Sequence, residues 1–280
     1  MTKMDIGFMQ GRLCDRVEGK IQAFPWRDWE SEFPRARKLG FTLMEWTLDQ
    51  ERLAENPLMT EAGQARIREL SARDGVRVQS LTGDCFMQAP FYKVQGPRRE
   101  GLLKDLRAVL VASQRLGIRY VLMPLVDDGS LQAPEHEAAL LEGVLPLRRW
   151  LVDAGMKIVF ESDFAPDRLA TFIGRFPKEA FGINYDIGNS AALGFSPSEE
   201  VGSYGDRIDN VHVKDRELHG TTVPLGTGNA DFPAAFRALR KAGYAGDFIL
   251  QTARAQDDDH EGALARYGNL TRAWWAESGS

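Results

Sequence analysis

Short apolar runs rich in β-branched and aromatic residues recur along the chain at 4–9 (MDIGFM), 42–47 (TLMEWT), 77–82 (RVQSLT) and 119–126 (RYVLMPLV). Four more follow at 156–162 (MKIVFES), 181–186 (FGINYD), 209–214 (DNVHVK) and 247–252 (DFILQT). Their length and residue types predict strands. Between them lie segments with helical spacing and good helix formers at 28–39, 60–74, 98–116, 135–154, 166–175, 231–242 and 260–274, with a weaker one at 197–206. Gly40, Gly75, Gly117, Gly155 and Gly243 stand between a helix and the following strand, where the left-handed conformation closes a helix without a Cβ clash.

Strand and helix therefore alternate from end to end, with no linker or change of composition. That pattern predicts an α/β fold, a single (β/α)8 TIM barrel, with one domain over residues 1–280. The alternative is an open doubly wound sheet. It is disfavoured because Gln10-Gly11-Arg12-Leu13 follows the first strand in place of a Gly-x-Gly-x-x-Gly turn. The tail after Trp275 is expected to fray, and Trp274-Trp275 to lie on the packed face of the last helix.

Composition narrows the functions. A formal charge of −5 without a long Lys/Arg block leaves no electrostatic footprint for nucleic acid or an anionic membrane. No apolar run is long enough to span a bilayer, and the start lacks a charged segment followed by an apolar one, so a cytoplasmic protein is expected. Cys14 and Cys85 have neither a disulfide framework nor metal spacing and read as incidental thiols.

In a barrel of this type the chemistry sits at the C-terminal ends of the strands. Four successive strands end in polar groups: Glu161, Asp186, His212 and Gln251. Singly, an acidic residue there is as readily a helix N-cap, and a lone strand histidine a hydrogen-bonded core residue. Together, two carboxylates, an imidazole and an amide oxygen make an O/N shell for one divalent metal ion, Mn²⁺, Mg²⁺, Co²⁺ or Zn²⁺.

These residues, with Asp186-Ile187-Gly188-Asn189, His212-Val213-Lys214-Asp215 and Pro224-Leu225-Gly226-Thr227-Gly228, resemble the xylose isomerase-like barrel superfamily of sugar isomerases and epimerases over nearly the whole chain. The resemblance includes ketose 3-epimerases and inosose dehydratase. It implies a metal held by Glu161, Asp186, His212 and position 251, and a proton exchanged between two glutamates on opposite faces of a substrate carbon. This chain departs at Gln251, which offers an oxygen to a metal but no proton near neutral pH, and at Asn189, where the family has a histidine. The DNA-repair branch is poorly matched, since it needs more histidine ligands than four histidines supply.

The expected activity is a metal-dependent sugar isomerase or epimerase acting through an enediolate on a free or modified sugar, acidic and phosphorylated sugars included. A metal-dependent dehydratase, or a sugar-binding barrel impaired by Gln251, are the alternatives. Glu161 is the expected base and Lys214 the expected second catalytic group. Other sources for the return proton are Asp215, Glu217, His219 and Glu45. Arg12, Glu45, Asn189, Arg216 and Arg254 are expected to bind substrate, with Arg12 and Arg254 facing each other across the seam as a clamp for an acidic sugar. The glycines of PLGTGN offer backbone amides to a phosphate. Trp26, Trp46, Phe86 and Phe91 are placed to stack on a sugar or to pack the rim, and the loop from Thr82 to Gln95 is long enough for a lid or a contact between protomers. By resemblance, a homo-oligomer is expected.

Overall fold

The computed structural model describes residues 4–279. The strands are β1 (Ile6–Met9), β2 (Leu43–Thr47), β3 (Arg77–Thr82), β4 (Tyr120–Leu125), β5 (Lys157–Ser162), β6 (Phe181–Asp186) and β7 (Ile208–Val213). A short hairpin, β8 (Asp215–Arg216) and β9 (Thr222–Val223), precedes the last barrel strand, β10 (Phe248–Leu250). The eight longer and central strands pair in parallel with their chain neighbours, and β10 closes on β1 with Phe8 opposite Leu250. The barrel is thus a closed (β/α)8 cylinder, as the alternating pattern predicts.

Side chains alternate across each strand, so one face packs on helices and the other fills the barrel. On β5 and β6 the outward set is aromatic: Phe160 meets Phe172, Phe176 and Phe181 at ring-centroid distances of 5.7, 5.0 and 6.1 Å. Each such ring contributes about 1.5–3 kcal/mol on burial. The inward residues one step along, Glu161, Asn184, Asp186, Asn210 and His212, are polar and buried. The sequence's period of two therefore separates an apolar jacket from a polar interior.

The boundaries differ from expectation in two places, each with a local cause. The helix at 135–154 is broken into Pro134–Val144 and Arg148–Asp153 by a turn at Leu145–Leu147, where Pro146 has no N–H to donate. The tail is less frayed than expected. The last helix runs His260–Glu277, Trp274 stacks on Phe232 with centroids 4.3 Å apart, and Arg240 Nε donates to Ser278 Oγ at 3.0 Å. Residues 1–3 and Ser280, the last residue of that tail, lie outside the described residues. The five glycines after helices all have positive φ, from +66° to +78°.

Candidate functional site

The inward side chains of β5, β6 and β7 converge at the upper end of the barrel. Glu161, Asp186 and His212 each offer one ligand atom within 4.8 Å of the others. The imidazole is oriented from below: His212 Nε2 lies 2.6 Å from Glu45 Oε1, which also accepts from Thr82 Oγ1 at 2.5 Å. Glu45 Oε2 accepts from Asn210 Nδ2 at 3.0 Å. With Nε2–H donated to Glu45, the Nδ1 lone pair faces Glu161 Oε2 at 3.5 Å and Asp186 Oδ2 at 3.8 Å and makes no hydrogen bond.

A fully buried imidazole nitrogen without a partner, between two carboxylates, fits a bound cation. The electrostatics agree. Burial works against a charged His212, but Glu45, Asp186 and Glu161 outweigh it and drive its pKa well above the ordinary value. Burial likewise opposes an ionised Asp186, yet the charge of Lys214 and the contact with His212 bring it down to about 2. The pocket around Nδ1 favours positive charge, which a proton or a divalent metal supplies.

Glu161 is held on both oxygens. Asn184 Nδ2 donates to Oε2 at 2.7 Å and Asn189 Nδ2 to Oε1 at 2.6 Å. Asn184 is braced by Asn210 Nδ2 at 2.8 Å. Asn184 and Asn210 were not singled out from the sequence, although each stands two residues before a ligand-type residue and so on the same face one layer deeper. Asp186 combines the two readings that its position allows, since its Oδ1 also caps the helix Ile187–Ala192 by accepting from Asn189 N at 2.8 Å.

Lys214 Nζ donates to Asp186 Oδ2 and to Gln251 Oε1, both at 3.1 Å. Gln251 thus adjoins the triad through the ammonium of Lys214, and its Nε2 donates to Gln22 Oε1 at 3.0 Å. Gly188 makes room for this lysine: a Cβ there would stand 2.7–2.8 Å from Lys214 Cγ, C and O. Arg216 Nη1 donates to Asn189 Oδ1 at 3.0 Å and its Nη2 to Gly220 O at 2.7 Å. Glu161, Asn189, Lys214, Arg216 and Gln251 all line one open cavity of about 560 Å³.

Several expected contacts are corrected. Arg12 and Arg254 do meet at the seam, but both are buried and engaged within the fold, Arg12 Nη1 and Nη2 with Ile21 O at 3.2 Å and Gln22 Oε1 at 3.3 Å. Arg12 Nε donates to Thr252 O at 2.9 Å, and Arg254 donates to Gly11 O and Cys14 O. Neither lines the cavity, so they brace the first and last loops and do not clamp an acidic sugar. Glu45 is fully buried beneath His212 and reaches no substrate; it is a positioning residue.

The PLGTGN amides serve an internal anion. Asp215 accepts from Gly226 N, Gly228 N and Ala230 N at 2.8, 2.9 and 3.1 Å, which removes both the loop as a phosphate cradle and Asp215 as a proton source. Trp46, Phe86 and Phe91 are core residues, while Trp26 packs on Phe24 under Arg52 away from the main cavity. The stretch after β3 is a wall: it forms the short helix Asp84–Gln88, with Cys85 and Phe86 buried. Both cysteines are free and buried, and burial pushes the Cys14 thiol up to about 12.

Comparison with known proteins agrees with this architecture. Curated relatives include L-ribulose-5-phosphate 3-epimerase of Escherichia coli O1:K1, 24% identical over 260 residues that span 90% of this chain and 91% of the relative. The same enzyme of Salmonella heidelberg is 25% identical over the same shares. Among solved structures, a xylose isomerase domain protein from Planctomyces limnophilus superposes with a TM-score of 0.75 at 16% identity, covering 98% of each chain. D-allulose 3-epimerase from Methylomonas sp. gives 0.74 at 16% identity, covering 96% of each chain. Residues 33–270 match the family described as xylose isomerase-like TIM barrel, and the chain belongs to that family.

Proposed function

We propose that this chain is a divalent-metal-dependent sugar epimerase or isomerase acting on a ketose, free or phosphorylated, as a single barrel domain in the cytoplasm. The observation that carries the reading is the orphaned His212 Nδ1 between Glu161 and Asp186, of which Glu161 lines an open cavity. The curated relatives, named for L-ribulose-5-phosphate 3-epimerase activity, support the same reading. No helix among the described residues is long and apolar enough to cross a membrane.

Glu161, Asp186 and His212 would hold the metal, with the Gln251 amide oxygen as the neighbouring donor. When bound, the metal supplies Lewis-acid stabilisation of the negative charge that develops on the carbonyl oxygen during proton removal. The chain does the rest. Glu161, held by the Asn184 and Asn189 amides, takes the proton from the carbon beside the carbonyl. Lys214 carries positive charge to the same wall and stabilises the oxygen as charge grows on it. Arg216 and Asn189 meet the distal hydroxyls or phosphate of the sugar.

Metal analysis of purified protein with Glu161→Ala and His212→Ala tests the site. Near-stoichiometric Mn²⁺, Co²⁺ or Zn²⁺ lost in both variants is the expected result. Wild type that takes up none of these ions would sink the reading. The activity is checked by incubating L-ribulose 5-phosphate, D-allulose and other ketoses in deuterated water and following deuterium at the carbon beside the carbonyl.

A further inference from the structure

Two-base inversion at a carbon uses a proton carrier on each side, and Glu161 is one of them. The cavity is lined by three further carboxyl groups, Asp84, Asp127 and Asp163. Asp127 is exposed and Asp163 half-buried, whereas Asp84 is buried at 7% exposure and tethered. Gln22 Nε2 donates to Asp84 Oδ2 at 2.6 Å, and Gln22 Oε1 accepts from Gln251 Nε2 at 3.0 Å. A single amide therefore links Asp84 to Gln251, the strand-end residue that has no proton to exchange. Both carboxyl groups line the same cavity and each is held by amides: Glu161 by Asn184 and Asn189, and Asp84 by Gln22.

We propose that Asp84 is the second catalytic residue, returning a proton to the substrate carbon from the Gln22–Gln251 side of the cavity while Glu161 removes one from the other. This deepens the epimerase reading and rests on it. The step balances. Glu161 takes the proton, the C–H pair becomes the carbon–carbon double bond of the enediolate, and the carbonyl π pair moves to oxygen. Asp84, as the carboxylic acid, gives its proton to the opposite face; the double-bond pair forms the new C–H bond and the carbonyl re-forms. Glu161 ends protonated and Asp84 ionised, and exchange with water in the open cavity restores both.

The surroundings suit an acid. Burial pushes Asp84 up to about 7, against the Gln22 hydrogen bond, and the charges of Asp49 and Glu161 add to the rise while Arg12 opposes it. A carboxyl group near 7 is a competent donor at neutral pH, where an ordinary aspartate is ionised.

The test uses metal-loaded protein with L-ribulose 5-phosphate in deuterated water. In Asp84→Asn, deuterium is expected to enter recovered substrate within several-fold of the wild-type rate, because Glu161 still removes and returns the proton on one face. Epimer formation is expected to fall by about a hundredfold or more, the usual scale of a lost acid. Should the variant fail to fold, the wild-type pH profile decides: inversion falls as pH rises through 7 while deuterium entry does not. Wild-type inversion rates in Asp84→Asn, loss of deuterium entry together with inversion in a folded variant, or one shared pH profile would each overturn the proposal and leave the epimerase reading standing. A wild type that exchanges deuterium into no ketose removes the reading itself, and this inference with it.

Discussion

Glu45 Oε1 lies 2.6 Å from His212 Nε2 at the fully buried floor of the barrel, and this contact decides which face of the imidazole looks upward. A carboxylate behind a ligating histidine fixes its tautomer and raises its basicity. Replacing Glu45 by Gln keeps an acceptor but removes the charge. Metal affinity should fall by about 10- to 100-fold in a competitive chelator titration, with far-ultraviolet circular dichroism unchanged. Unaltered affinity would mean that Glu45 serves stability alone.

Gln251→Glu places a carboxylate against Lys214 and Asp186 while cutting the donor hydrogen bond to Gln22. Metal affinity should rise with the added charge. Epimer formation should drop by about tenfold, equivalent to about 1.4 kcal/mol in the barrier, because the Gln22 tether of Asp84 loses the shorter of its two anchors and keeps only Arg12. A gain in turnover instead would identify the amide as a loss of function.

Arg254→Ala removes the donor to Gly11 O and Cys14 O in a buried setting. Two orphaned carbonyls cost about 1–3 kcal/mol each. Urea denaturation should report a loss on that scale, while KM for the sugar in still-folded protein stays within about twofold. A large rise in KM without loss of stability would restore the arginine to the substrate.

Glu32 accepts from Gly11 N and Leu13 N, and burial pushes it up to about 7 against those bonds and the neighbouring Arg254 and Arg12. The folded chain therefore holds this proton more tightly than the unfolded chain, whose glutamate titrates near 4.5. Its contribution to stability is fully present below about 4.5 and is lost as pH rises toward 7. Glu32→Gln should flatten the decline of wild-type stability across that window, at up to about 1.4 kcal/mol per pH unit, in chemical denaturation at successive pH values. An unchanged slope would show that Glu32 stays ionised in the folded protein.

The barrel was legible because β-strand alternation and helix-ending glycines are local signals. Glu161, Asp186 and His212 were legible because strand ends are countable. What the sequence hid is long-range. Nothing near Arg12 or Arg254 announces that each finds an acceptor more than two hundred residues away. Asp215 reads as one more loop charge until the amides of Gly226, Gly228 and Ala230 fold around it. Asp84 and Gln22 went unnoticed because they lie on loops, where no periodicity marks which side chains turn inward, and their meaning comes only from each other and from Gln251.

The cross-bracing of Arg12 and Arg254 has a bearing on how the protein is born. β1 finds its closing neighbour, β10, and Arg12 the acceptor at Thr252 only after 240 further residues have been made. During synthesis β1 must wait with an open edge, and the earlier strands can form only an incomplete arc. Truncation shortly before residue 248 would thus remove more than a strand: the arc would lack its closure, the Gln22 tether its Gln251 partner, Arg12 its acceptor at Thr252, and the Gly11 and Cys14 carbonyls their donor Arg254. Ring closure thus joins the two most distant parts of the chain, and the wall that holds Gln251 and Gln22 together forms only with it.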